Sequence, residues 1–215
     1  MKQRKSVFLL LGLATLFALA LVAARALYTG QLRFTFLLWN LFLAWLPFLF
    51  AETAVFYHRR RFLLAGMGSL WLLFLPNAPY LVTDLIHLRP TPNAPLWYDA
   101  IMLFSFALTG LFLGFLSLYR MQMLVTRRWG VRIGWLFAAA TLMLSSFGVY
   151  IGRFLRWNSW DVFTNPHLLL TDIATNLLTP HLMWKTAVIS ALLSAVLLLA
   201  YGLLAAWPQG VSGKR

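Results

Sequence analysis

Cysteine is absent, which excludes disulfides, thiolate catalysis and Cys-ligated zinc or iron–sulfur sites. Acidic residues are nearly as scarce, with five Asp and Glu in 215 residues. Charged residues of both signs make up 11% of the chain, against about 25% in a typical soluble domain. That shortage excludes a soluble enzyme, a disordered protein and a coiled coil, each of which needs a charged surface. What is present is apolar: 61% of the residues are hydrophobic. They come in long unbroken runs rather than alternating with polar ones, which predicts an all-α polytopic membrane protein and not a barrel.

Six uncharged runs stand out: Val7–Ala24, Phe34–Ala51, Phe62–Thr83, Ala100–Tyr119, Ile133–Gly152 and Thr186–Trp207. Each holds 18–22 residues, and about 20 suffice for a helix to cross the hydrocarbon core. Six transmembrane helices in one integral membrane domain over residues 1–215 are therefore expected. The first run, with Lys2, Arg4 and Lys5 before it and Ala24-Arg25-Ala26 after it, resembles a signal peptide. Its apolar stretch exceeds the usual 7–15 residues, so it reads as a retained helix.

Basic residues dominate, 18 Lys and Arg giving a net charge of +13. They lie mostly between the apolar runs, where they set orientation and meet anionic headgroups; the placement argues for a bilayer and against nucleic acid. With the amino terminus in the cytoplasm, that side holds Lys2, Arg4, Lys5, Arg59, Arg60, Arg61, Arg120, Arg127, Arg128, Arg132, Lys214 and Arg215. The outer side holds Arg25, Arg33, Arg89, Arg153, Arg156 and Lys185. Twice as many cytoplasmic charges predict both termini inside a plasma membrane. Trp97, Trp157, Trp160 and Trp184 then fall near the outer interface, and Trp129, Trp135 and Trp207 near the inner one.

The few acidic and imidazole groups are segregated. Asp84, Asp99, Asp161, Asp172, His87, His167 and His181 fall on the outer side, leaving Glu52 and His58 to the inner. No run carries an ionisable residue near its centre, which disfavours an ion-coupled transporter. Gly110-Leu-Phe-Leu-Gly114 and Gly148-Val-Tyr-Ile-Gly152 have the small-xxx-small spacing that lets helices approach closely.

Three outer constellations carry chemistry. The third run ends in Pro76-Asn77-Ala78-Pro79-Tyr80, whose prolines free backbone groups near the interface. Asp84 and His87 follow three apart. On a helix they share a face, and they could ligate a metal, form an acid–base pair or bond each other. The fifth run ends Gly152-Arg153-Phe-Leu-Arg156-Trp157-Asn158-Ser159-Trp160-Asp161. Two guanidinium forks three apart suit a phosphate or carboxylate, with the tryptophans at headgroup depth; snorkelling arginines in an aromatic belt are the plainer alternative. Asn165-Pro166 then starts an amphipathic helix over about 166–179, too short to span. Its expected apolar face is Leu170, Ile173, Ala174, Leu177 and Leu178. It could lie over the site as a lid or simply connect two spans.

On the Pro76–Tyr80 motif with Thr83-Asp84, and on Gly152-Arg153 through Asp161, the chain resembles the domain of unknown function 1361 family of bacterial membrane proteins. The likeness covers nearly the whole chain in length and order of spans. It implies a multi-pass bacterial membrane protein, and neither an activity nor catalytic residues.

The residues themselves favour recognition or processing of an anionic, lipid-linked substrate at the outer leaflet. Arg153 and Arg156, with Asn77, Asn158, Trp157 and Trp160, form the expected binding side. Asp84 and His87 are the candidate acid, base or metal ligands, with Asp161 and Asn158 orienting them. Hydrolysis or group transfer on a lipid headgroup is the reaction class to test first, should the protein turn substrate over. A non-catalytic membrane partner or assembly factor is the second reading, and a small transporter or flippase the third.

Overall fold

The computed structural model describes residues 2–212, with side chains over residues 5–205. The side chains of Lys2, Arg4 and Trp207, and residues Lys214 and Arg215, lie outside the described residues. The fold is all-α: α1 (Lys2–Thr29), α2 (Phe36–Phe56), α3 (Arg61–Phe74), α4 (Asn77–Thr83), a 3-10 turn (Asp84–His87), α5 (Leu96–Trp129), α6 (Val131–Phe154), α7 (Asp161–Thr164), α8 (Pro166–Leu178) and α9 (Pro180–Ser212). Among the described residues, six segments are long and apolar enough to cross a membrane: Lys5–Thr29, Phe36–Phe56, Arg61–His87, Leu96–Trp129, Val131–Phe154 and Pro180–Ala205. They alternate in direction. The end at which α1, the 3-10 turn and α6 finish is called the upper end below.

The helices outrun the apolar runs, because backbone hydrogen bonding continues into the polar zone while hydropathy does not. Residues that hydropathy assigns to loops therefore sit inside helices. Arg25 in α1 pairs bidentately with Asp99 in α5, at 2.6 and 3.1 Å, both side chains being almost wholly buried. Glu52 in α2 pairs with Arg120 in α5, at 2.6 and 3.3 Å, at the lower end. Ion pairs thus tie α5 to α1 above and to α2 below. Helix α5 is the centre of the bundle, with 61% of its most apolar stretch buried against 17% for α1 and α9. One cluster, including Leu37, Leu41, Leu81 and Phe106, joins α1, α2, α4 and α5. A second, including Trp71, Leu118, Leu142 and Tyr201, joins α3, α5, α6 and α9.

The third span is broken by its prolines. Pro79 has no N–H for the Leu75 carbonyl, and Ala78 N–H takes that carbonyl instead, at 3.1 Å. The Phe74 carbonyl is left over and accepts from Asn77 Nδ2 at 2.9 Å. Asn77 is thereby a built-in patch for the break, and α4 starts there.

The placement of helix α8 adds what hydropathy left open. Leu169 and Asn176 are buried, while Leu170 and Leu178 are 66% and 82% exposed. The docked side is set by two polar anchors: Asn176 Oδ1 accepts from Thr186 Oγ1 of α9, and Asp172 accepts from Trp157 Nε1 at 3.0 Å. The apolar stripe of Leu170, Leu177 and Leu178 faces away from the bundle, where an interfacial helix meets lipid.

Candidate functional site

The site begins with α4, which is pressed between the two glycine pairs. A Cβ on Gly110 of α5 would lie 2.6 Å from the Ala78 carbonyl oxygen, and one on Gly114 2.9 Å from Ala78 Cβ. On the other side, a Cβ on Gly148 of α6 would lie 2.5 Å from Pro76 Cγ, and one on Gly152 3.2 Å from the Tyr80 ring. Both small-xxx-small stretches serve one purpose: they let α5 and α6 close on the proline motif and fix the direction of Tyr80, Thr83 and Asp84.

Those residues meet the end of α6 at Arg153. Its Nη2 donates to Asp84 Oδ1 in a short ion pair, its Nε to Thr83 Oγ1 at 2.9 Å, and its Nη1 to His87 Nε2 at 3.3 Å. The guanidinium carbon sits 4.3 Å from the Tyr80 ring centroid. Asn40 of α2 donates to the other Asp84 oxygen at 2.9 Å. Asp84 is 1% exposed, so its charge is tolerable only because both oxygens are bonded and a guanidinium is adjacent. A guanidinium can only donate, so His87 Nε2 accepts, and the imidazole proton in this arrangement is on Nδ1. The Phe36 ring packs edge-on against His87 at 5.0 Å.

Two of the expected residues are therefore brought together with Arg153, in a different relation from the one their spacing suggests. Asp84 and His87 both address Arg153 instead of bonding each other. Arg153 and Arg156 do not share a helical face, because α6 ends at Phe154 and Arg156 lies beyond it. Arg156 has a φ of 62°, a left-handed conformation that Gly or Asn usually takes at a helix end. The chain reverses there, with Trp157 N–H returning to the Ile151 carbonyl at 3.4 Å.

The reversal opens a polar cleft of about 490 Å³ whose walls include His87, Arg89, Arg153, Arg156 and Asn158. Tyr80, Gly152 and Asn158 also line a second pocket, of about 300 Å³, that lies between α2, α3 and α6 under Leu169 and Ile173 of α8. Asn77 and Trp157 line this pocket as well. Asn77 Nδ2 donates to Ser159 Oγ at 3.0 Å, which ties the two motifs a second time. Trp160 packs edge-on against Trp39 at 6.0 Å. Asp161 turns to its own loop, accepting from Asn158 N–H at 2.7 Å, Asn158 Nδ2 at 3.3 Å and Thr164 Oγ1 at 3.1 Å. Among the described residues, no three His, Asp or Glu side chains gather closely enough to hold a metal ion.

Asn40, Tyr80, Thr83 and Arg89 belong to this site without having been singled out for it by spacing. Asn40 carried a signal, as a lone large polar residue inside a long apolar run; its partner 44 positions away did not.

A family model described as "Protein of unknown function (DUF1361)" matches residues 39–200, which includes every residue of the two motifs. No curated protein and no solved structure matches the chain.

Proposed function

Since the chain belongs to the protein family of unknown function DUF1361, a membership that carries no activity, we propose a function from the site itself: it binds the anionic headgroup of a lipid-linked substrate at the outer leaflet of a bacterial plasma membrane, with both termini cytoplasmic. The observation that carries the reading is one of charge and adjacency. Arg89, Arg153 and Arg156 border one cleft, and Asp84, buried behind Arg153, is spent on Arg153 and Asn40. Arg89 and Arg156 are left to face an anion. Across Tyr80 the cleft adjoins a pocket lined largely by apolar residues, the surroundings that a headgroup joined to a hydrocarbon chain requires.

The residues then divide by task. Asp84, Asn40 and Thr83 hold Arg153 in place. Arg156 and Arg89 supply the guanidinium donors, and Asn158 an amide at the boundary. His87 borders the cleft and, with its Nε2 accepting from Arg153 Nη1, helps to orient that guanidinium.

Arg156 offers a clean test. Arg156→Gly removes the guanidinium and also relieves a left-handed backbone that costs an L-residue about 1–2 kcal/mol, so the fold should hold. A charge-assisted contact is worth about 1.5–3 kcal/mol, equivalent to roughly a tenfold to hundredfold change in affinity. Purified Arg156→Gly should melt no lower than wild type and bind phosphatidic acid at least tenfold more weakly. Unchanged binding would sink the proposal. The second reading, a non-catalytic partner, draws on the exposed Leu170, Leu177 and Leu178 of α8; co-purification of a second membrane protein that is lost in Leu170→Ser, Leu178→Ser would favour it.

A further inference from the structure

Helices α3 and α6 present matching faces along their length. A groove of about 1280 Å³ occupies the lower half, walled by Gly68, Ser69 and Leu72 of α3 and by Leu136 and Ala140 of α6, among others. The 300 Å³ pocket beside the arginine cleft is walled higher up by Leu72 of the same helix and by Leu144 and Gly148 of α6. Leu72 borders both. On α6 the lining positions Ile133, Leu136, Phe137, Ala140, Leu144 and Phe147 recur at three- and four-residue steps, which is one face of a helix. From Ile133 to Gly148 that face runs about 22 Å at 1.5 Å per residue, more than half of a hydrocarbon core of about 30 Å.

We infer that the cleft between α3 and α6 is the lateral doorway and seat for the hydrocarbon chain of a lipid phosphate whose headgroup sits among Arg89, Arg153 and Arg156. The inference rests on the anion reading of the arginine cleft and adds where the rest of the molecule lies. Three features point to this occupant. The cleft joins the cationic site at one end. Its walls are mainly apolar over more than half the depth of the hydrocarbon core. It is also open along its length: Ser69, Leu72, Leu136 and Ala140 on its walls are all exposed.

The same geometry supplies the test. Gly68→Leu and Ala140→Phe put bulk into the groove: Ala140 is exposed, and the atom nearest a Gly68 Cβ is the flexible end of Met121 at 3.7 Å, so the protein should insert and fold. Wild type and the double variant would be reconstituted in phosphatidylcholine vesicles with a phosphatidic acid bearing a diazirine at its chain end. After illumination, the labelled residues are located by mass spectrometry. Labelling concentrated on α3 and α6, and reduced at least fivefold by the double variant, is the expected result. Labelling spread evenly around the bundle, or unchanged by the double variant, would overturn the chain seat. A phosphatidylcholine with the same diazirine, and the Arg156→Gly protein, separate this inference from the one beneath it. If cleft labelling depends on the filled positions but is indifferent to headgroup charge and to Arg156, the chain seat stands and the anion site falls. If headgroup charge and Arg156 govern labelling that ignores the filled positions, the anion site stands and the chain seat falls. Should Gly68→Leu, Ala140→Phe fail to insert, Ser69→Leu and Leu136→Trp provide the same obstruction from single positions, with the same readings.

Discussion

Arg153 shows how far the identity of a residue goes and where its partner has to be seen. Gly152-Arg153 and Thr83-Asp84 are each conspicuous in the sequence, but their ion pair joins positions 69 apart, and spacing along one helix contains no information about another. The consequence is energetic as well as descriptive. Asp84 is buried, so removing its guanidinium alone strands a carboxylate out of water, at a cost of about 3–5 kcal/mol, whereas replacing both members by apolar groups is far milder. Arg153→Leu should therefore lower the melting temperature in detergent sharply, and Asp84→Leu, Arg153→Leu should recover most of the loss. A double variant as unstable as the sum of the two singles would mean that the pair is not coupled. The result bears on function too. A guanidinium already neutralised by Asp84 is mostly a positioning group, which moves the anion-binding role toward Arg156 and Arg89.

At the scale of elements, each of the six long apolar segments falls on one of the six apolar runs, because hydropathy over about 20 residues is dictated by bilayer thickness and by little else. The ends were less legible, since helices continue past the hydrocarbon, and that hid Arg25, Asp99 and Arg120 inside α1 and α5. The docked face of α8 was not legible in the sequence for a related reason. Hydropathy marks the face that leaves water, and at a membrane surface that face can turn to lipid while Asn176 holds the helix to α9. The glycine pairs are the reverse case: a common spacing became informative only once both were found on α4. Their close contacts give a prediction. Gly148→Ala forces a methyl to 2.5 Å from Pro76 Cγ, and overpacking of this kind costs about 1–3 kcal/mol. Thermal unfolding should show that loss, while Gly12→Ala, whose Cβ meets nothing within 4 Å, should be neutral or slightly stabilising. Equal behaviour of the two would mean that α4 is not clamped.

For the whole molecule, the alternation of helices sorts the chain's charges between two ends. Arg59, Arg60, Arg61, Arg127, Arg128 and Arg132 flank the lower ends of α2, α3, α5 and α6, and the candidate site occupies the upper end. Short basic segments are retained on the cytoplasmic side of a membrane, so the lower end should face the cytoplasm and the arginine cleft the exterior. The absence of cysteine makes this directly measurable, since any cysteine introduced is unique. Asn93 lies exposed in the turn before α5, and His58 exposed in the turn after α2; replacing them leaves every arginine of the orientation signal in place. In intact cells a membrane-impermeant maleimide should label Asn93→Cys, and His58→Cys only after permeabilisation. Labelling of both from outside would refute the third crossing, because Arg61–His87 is the segment between them. A reversed pattern would keep six spans but turn the arginine cleft to the cytoplasm. The headgroup it serves would then belong to the inner leaflet. Because the two cysteines bracket the proline-broken span alone, the experiment also asks whether a helix interrupted at Pro76 and Pro79 still crosses as one unit. The clamp of α5 and α6 around α4 predicts that it does.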